Sequence, residues 1–295
     1  MIRGFACCNE MYEPQPVVEG FRALRAVGYD AVEVAPYTFG DPVFPQALRM
    51  APEVRAAARD MGLHVLGLHW LFARTDGLHV HHPDAAVRRA TRERVVRLMD
   101  LCRALGGAIM VFGSPPARAL LPEESWEAAF RRTRDFFLDV MPEAAARGVS
   151  ICFEPLARRT TTFIHTAAEA LALMREVNHP NFLINLDTGA LTDEAHPPAE
   201  TIRQLGAAAP GAIRHVQVND PNRLGPGMGD LDLRPIRDAL EEVGYDGYLS
   251  VEAFDFTPGA DRIARESLRY LRAVWGPPGT PGTPPSPRQG AAPVV

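Results

Sequence analysis

The sequence predicts an α/β fold, a single (β/α)8 TIM barrel, and three observations favour this class. Short β-branched runs alternate with longer segments of helical periodicity, and eight such strand–helix units can be counted. Several helical segments end in glycine just before the next strand, as at Gly28, Gly62 and Gly148, because glycine accepts the left-handed backbone that ends a helix. The length of 295 residues, 46% of them hydrophobic, suits one barrel.

An open, doubly wound sheet has the same local pattern, so closure is inferred from the count of eight. No G-x-G-x-x-G follows the first strand, which weakens the dinucleotide-binding alternative. We predict the strands at Ile2–Cys7, Ala31–Ala35, His64–His69, Ala108–Phe112, Val149–Glu154, Phe182–Asp187, Ile213–Val218 and Tyr248–Glu252. Two of the clearest helices are expected at Ala85–Leu105 and Glu123–Arg147.

The domain is expected to span residues 1–275, with a disordered tail over 276–295. The tail is rich in proline and glycine and has no apolar periodicity. No apolar run approaches the ~18 residues of a membrane span, and the N-terminus does not resemble a signal peptide. These features predict a cytoplasmic protein with no membrane partner.

Composition also limits the partners. The formal net charge is −5 and basic clusters are absent from the sequence, which speaks against nucleic acid as a partner. The four cysteines lack zinc-like spacing and are interpreted as reduced, small core residues. His79, His81 and His82 are interpreted as a solvated loop cluster rather than a metal site.

Acidic residues recur where the predicted strands end. Glu154, Asp187 and Glu252 end strands five, six and eight, and Gln217 lies on strand seven. The spacings of 33, 30 and 35 residues match successive strand–helix units, so all four side chains should converge at one side of the barrel mouth. Because a shared cation offsets repulsion among carboxylates, and oxygen ligands suit Mg²⁺ or Mn²⁺, the pattern predicts one divalent cation.

The chain resembles the xylose-isomerase-like superfamily of sugar isomerases and epimerases over about residues 1–275. The resemblance is carried by the segment from His215 to Glu252, by F-E-P-L from Phe153 and by L-D-T from Leu186. It implies a metal held by Glu154, Asp187, Gln217 and Glu252. Ketose 3-epimerases usually have histidine at the position of Gln217 and again at that of Ala190. The glutamine at position 217 instead resembles the residue at this ligand position in the hydroxypyruvate-isomerase branch.

The resemblance further implies proton transfer next to the carbonyl of a small keto-sugar, through an enediolate. Glu154 and Glu252 would be the acid and base, and Asp187 a ligand only. Four further polar residues near strand ends are candidate substrate contacts or their supports: His69, Glu33, Arg223 and His215. Relatives of this type commonly form homo-oligomers.

Three other functions remain open from the sequence. A lyase on the same scaffold, a dehydratase or eliminating deglycosidase, shares the first step and differs only in a leaving group. An apurinic-site endonuclease shares the fold but needs more histidines at strand ends and a basic surface. A non-catalytic binding barrel would hold no metal at the quartet.

Overall fold

Eight parallel strands close into a barrel in the order of the chain, with β1 paired to β8. The structure is a computed structural model that describes residues 1–40 and 42–276. The strands are β1 (Gly4–Cys8), β2 (Ala31–Val34), β3 (His64–Leu68), β4 (Ile109–Phe112), β5 (Ser150–Phe153), β6 (Phe182–Asp187), β7 (Ile213–Val218) and β8 (Tyr248–Val251). The predicted fold class is therefore confirmed, and the predicted tail lies, apart from Gly276, outside the described residues.

Nine α-helices surround the barrel within the part of the chain that the structure describes. They are α1 (Val17–Val27), α2 (Gln46–Asp60), α3 (Ala85–Leu105), α4 (Trp126–Arg147), α5 (Ala167–Val177), α6 (Thr188–Leu191), α7 (Pro198–Ala208), α8 (Arg234–Glu242) and α9 (Ala260–Trp275). Helix α4 begins later than the sequence predicts because the Ser125 side chain accepts a hydrogen bond from the Ala128 N–H and caps it there. No described helix is both long and apolar enough to cross a membrane.

Aromatic side chains fill the layer between the barrel wall and α4. The ring of Phe137 packs against those of Phe112, Phe153 and Phe182 at centroid distances of 5.1, 5.9 and 4.6 Å. All four side chains are fully buried. Because Phe153 precedes Glu154 directly, this packing fixes the strand end that carries the acid.

Two glycines let β3 and β4 approach. A Cβ on Gly107 would lie 2.8 Å from the Cα of Gly67, and one on Gly67 would overlap the carbonyl oxygen of Ile109. A side chain at either position would therefore push the two strands apart. The barrel wall closes here only because both residues lack one.

The interpretation of the histidine cluster as a solvated loop is wrong. His79 and His81 are buried, and the His81 Nδ1 lies 2.9 Å from a carboxylate oxygen of Glu124. The segment folds back under the β4–α4 connection, where the His81 Nε2 lies 2.9 Å from the carbonyl oxygen of Arg118. All four cysteines are buried and unpaired, as expected.

Candidate metal centre

Three carboxylates meet at the carboxyl end of the barrel. Glu154 directly follows β5, Asp187 ends β6, and Glu252 directly follows β8. One carboxylate oxygen from each lies within 4.8 Å of the other two, and the residues are only 6, 4 and 5% exposed. The structure thus brings together three members of the quartet expected from the sequence.

Electrostatics make this cluster unstable as three bare anions. Burial and the charges of Glu252 and Asp187 raise the pKa of Glu154 well above its ordinary value. Burial likewise raises the pKa of Glu252 to about 7 and that of Asp187 to about 6. Removing water penalises each charge, and each anion opposes the next. A divalent cation between them would offset both effects, so the donor set fits a metal.

Hydrogen bonds orient two of the three acids. The Asp187 Oδ1 accepts from the Ala190 N–H at 2.7 Å, and its Oδ2 accepts from the Asn219 side-chain amide at 2.5 Å. Glu252 Oε1 lies 3.1 Å from the His69 Nδ1. No residue in the described ranges donates a hydrogen bond to the Glu154 carboxylate, which lies over Gly113 where no Cβ intervenes.

Gln217, the fourth predicted ligand, is fully buried beside the cluster. It pairs in register with Asp187 across β6 and β7. Its Oε1 accepts from the Asn185 amide at 2.6 Å, and its Nε2 donates to Glu33 Oε1 at 3.2 Å. The amide orientation is therefore fixed on both sides, with one lone pair of Oε1 left over.

Glu33 and His215 contact each other deeper in the barrel. The His215 Nε2 lies 2.8 Å from Glu33 Oε2, and both side chains are 1% exposed. Burial alone would raise the pKa of Glu33, but pairing with His215 outweighs it and lowers the value to about 2. Glu33 is thus an ionised partner of His215 and Gln217 at neutral pH.

A second group of four buried side chains adjoins the first: Cys8, Glu10, His69 and Glu252. Their ligand atoms also lie within 4.8 Å of one another, and Glu252 belongs to both groups. Both ring nitrogens of His69 face carboxylates, Nε2 lying 3.0 Å from Glu10 and Nδ1 3.1 Å from Glu252. His69 is 1% exposed, so its ring is turned into this group.

Arg223 lies on the exposed rim. Its guanidinium is 6.0 Å from the ring centroid of Phe254, which in turn is 6.1 Å from that of Trp70. Trp70 follows His69 directly and is 39% exposed. The rim therefore presents an aromatic and cationic edge beside the buried acids.

Sequence reasoning missed Glu10, Asn219 and Arg118. Glu10 lies two residues past β1, and the same strand-end rule applied to the first strand would have found it. Asn219 lies two residues after Gln217, hence on the same face of the chain. Arg118 is fully buried with its guanidinium 4.6 Å from the Phe153 ring centroid. Burial lowers its pKa to about 9, although Glu154 opposes that shift.

These features define the class: a (β/α)8 barrel whose candidate site is built from polar side chains at the carboxyl ends of its strands. The family model described as xylose isomerase-like TIM barrel matches residues 21–274. The chain belongs to this family.

Curated relatives are sugar epimerases. The ketose 3-epimerase of Arthrobacter globiformis is 26% identical over 264 residues, covering 90% of this chain and 86% of the relative. The L-ribulose 3-epimerase of Mesorhizobium japonicum is 28% identical, covering 85% and 78%. The fructoselysine 3-epimerase of Escherichia coli O157:H7 is 22% identical, covering 93% and 98%. The expected kinship with sugar isomerases and epimerases is confirmed.

Solved structures agree on the fold. A D-psicose 3-epimerase crystallised in the presence of D-fructose superposes with a TM-score of 0.79 at 21% identity, covering 92% of this chain and 99% of the other. The apo 3-keto-D-glucoside 4-epimerase from E. coli also gives 0.79 at 21% identity, covering 92% and 100%. At this identity the likeness supports the barrel architecture alone.

Proposed function

We propose that this protein is a divalent-metal-dependent epimerase or isomerase of a small keto-sugar. The observation that carries the proposal is the buried trio Glu154, Asp187 and Glu252, in which three carboxylates lie so close together that ionising all of them is unfavourable without a cation. The names of the curated relatives, all 3-epimerases of ketoses or a ketose derivative, favour this reaction class.

The cation proposed for this trio is Mn²⁺ or Mg²⁺, with Gln217 as a fourth ligand through its oxygen. All four donors are oxygens, which these hard cations prefer, whereas zinc prefers nitrogen and sulfur. When bound, the cation would polarise the substrate carbonyl and stabilise negative charge developing on its oxygen. Asp187 is assigned a ligand role only, because both of its oxygens already accept hydrogen bonds.

Glu154 and Glu252 are the proposed acid and base. One carboxylate takes the proton from the carbon next to the carbonyl, and the electron pair moves into the carbonyl to give an enediolate. The other carboxyl group returns a proton to the opposite face, which inverts that carbon. Burial raises the pKa of Glu252 to about 7 in the metal-free protein, and a bound cation would lower it and favour the carboxylate form that accepts a proton.

The four other residues predicted to contact substrate are given separate roles in this proposal. Arg223 on the rim would meet substrate hydroxyls. Glu33 and His215 would fix the amide of Gln217 from below rather than touch the sugar, since each is committed to a partner at 2.8 Å. His69, with both nitrogens facing carboxylates, is likewise proposed as a support rather than a substrate contact.

Incubation with candidate sugars in D₂O would test the reaction. D-fructose, D-psicose, L-ribulose and fructoselysine are incubated with metal-loaded protein. Deuterium incorporated at the carbon next to the carbonyl of a new epimer or isomer is the expected result. Loss of water or of an aglycone would instead support the lyase alternative, which shares the first proton transfer.

Single-carboxylate variants sharpen the test. Glu154→Gln and Glu252→Gln should each lose the ability to invert the carbon. Each variant should still exchange the proton at that carbon for deuterium, but with only one of the two epimers as substrate. This follows because each face of the enediolate is served by one carboxylate. Near-normal turnover in Glu252→Gln, or turnover unaffected by a chelator, would refute the proposal.

A cytoplasmic location and association into a homo-oligomer remain predictions. Fractionation of the native host cell tests the first, and light scattering of the purified chain tests the second.

A further inference from the structure

The geometry points to a second metal site formed by Cys8, Glu10 and His69, which takes a zinc-type cation and adjoins the carboxylate trio through Glu252, the hydrogen-bond partner of His69. Cys8 ends β1, Glu10 follows it, and His69 follows β3. The ligand atoms of these three residues and of Glu252 lie within 4.8 Å of one another. The site depends on the proposed epimerase chemistry only in that Glu252 belongs to both groups.

Unpartnered atoms converge in this group. Neither oxygen of Glu10 nor the Nε2 of His69 has an aligned hydrogen-bond partner within the described ranges, although all three atoms are buried. The 3.0 Å contact between Nε2 and Glu10 is therefore an ion-pair distance without a well-directed N–H. Buried polar atoms are rarely left this way, because an unmatched one costs about 1–3 kcal/mol.

The histidine ring is held in the orientation that a metal ligand needs. His69 Nδ1 lies 3.1 Å from Glu252 Oε1, so an N–H placed on Nδ1 donates to that carboxylate. This tautomer leaves a lone pair on Nε2, the ring nitrogen that lies 3.0 Å from Glu10. Histidine ligands usually donate their other ring N–H to a carboxylate in this manner, which fixes the tautomer and orients the ring.

The distance between His69 Nε2 and Glu10 Oε2 suits a small tetrahedral cation if the two atoms move apart by a few tenths of an ångström. Zinc bonds of roughly 2.0–2.1 Å to nitrogen and oxygen at tetrahedral angles separate the two ligand atoms by about 3.3 Å. The observed Nε2–Oε2 separation is 3.0 Å. Cys8 is not held elsewhere by a strong contact, since its Sγ meets Glu33 and Ser250 only at 3.8 Å.

The donor types distinguish the two groups. A thiolate, an imidazole and a carboxylate form the mixed sulfur, nitrogen and oxygen set typical of zinc, unlike the oxygen-only trio next to it. The three ligands Cys8, Glu10 and His69 are almost fully buried, so the cation would be held away from bulk solvent. Such a cation would tie the end of β1 to the end of β3 and, through the hydrogen bond from His69 to Glu252, to the end of β8.

Without a second cation, His69 would be an imidazolium held between Glu10 and Glu252. A protein with the second cation therefore differs from one without it in the number of metal ions bound and in whether the Cys8 thiol is a metal-bound thiolate. The full-length protein is stripped of metal, then titrated with Co²⁺ while its absorption spectrum is recorded. We expect two equivalents to bind, one of them producing a thiolate-to-cobalt charge-transfer band. Zn²⁺ added afterwards should abolish that band by displacement.

Variants assign the band to the site. Cys8→Ser should abolish the thiolate band, and Glu10→Gln should weaken that equivalent at least tenfold. Cys7→Ser is the matched control, since Cys7 is the adjacent buried thiol outside the group, and it should keep the band. Asp187→Asn should weaken the carboxylate equivalent and leave the thiolate band in place. Circular dichroism of each variant checks that the barrel is folded.

One equivalent without a thiolate band in the folded wild-type protein would overturn this inference, and so would a band that persists in Cys8→Ser. In either case the carboxylate equivalent would still bind, and the proposed epimerase would stand. Loss of that equivalent, with the thiolate band intact, would count against the epimerase alone.

Discussion

Replacing Glu252 by glutamine should stabilise the metal-free protein at alkaline pH. Burial raises the pKa of this carboxyl from 4.5 to about 7 in the folded state, so its ionised form is disfavoured by folding. Each pKa unit corresponds to about 1.4 kcal/mol, which puts the cost of the charge at about 3 kcal/mol at pH 8. Glutamine keeps the acceptor for His69 and removes the charge.

The raised pKa of Glu252 also determines how the stability of the wild-type protein changes with pH. Since the folded pKa lies above the unfolded one, the folded protein binds the extra proton, and wild-type stability falls as the pH rises from about 4.5 to about 7. At pH 5 the advantage of Glu252→Gln should therefore shrink below about 1 kcal/mol. Above pH 7 it should be constant.

Thermal unfolding with EDTA, followed by circular dichroism, measures this difference. For a chain of this size about 3 kcal/mol raises the midpoint by roughly 5 °C. Glu53→Gln, on the exposed face of α2, is the control and should leave the midpoint unchanged. With saturating Mn²⁺ the order should reverse, because the wild type gains binding energy that the variant has lost. A lower midpoint for Glu252→Gln in EDTA at pH 8 would refute the reasoning.

Three further outcomes follow from the structure. Phe137→Ala should lower the free energy of unfolding by roughly 3–5 kcal/mol in urea titrations, because the fully buried ring packs against three phenylalanines of the barrel wall; a loss below 1 kcal/mol would contradict that packing. Asn219→Ala should weaken Mn²⁺ binding by roughly 10–100-fold in calorimetry, because Asp187 loses the amide that orients it; unchanged affinity would contradict that role. The four buried thiols should resist an aromatic disulfide reagent in the native protein and react fully in denaturant.

The barrel and three of its acids could be predicted because both leave a periodic trace in the chain. Strands β6 and β7 begin and end as expected, since a turn or glycine borders each apolar run. Regular strand–helix units convert sequence spacing into spatial proximity, so Glu154, Asp187 and Glu252 had to converge if the barrel closed.

Residues whose positions depend on connections folding back could not be predicted in this way. Arg118 and His81 belong to connections that return under the barrel rim, where burial depends on tertiary contacts rather than periodicity. Glu10 begins a short 3-10 helix after β1, and its partner His69 is 59 positions away in the chain. Whether Gln217 turns its oxygen to a cation depends on its bonds to Asn185 and Glu33, which no pattern in the sequence encodes.

The pairing of β1 with β8 has a consequence for how the protein is made. During synthesis Glu10, His69, Glu154 and Asp187 leave the ribosome long before Glu252, which comes after the final strand. Until β8 inserts between β7 and β1, the sheet stays open at both edges and the carboxylate that both groups share is absent. Capture of the proposed cation would therefore be the last event of chain maturation, and a nascent chain that stops before β8 should bind metal no better than an unfolded one.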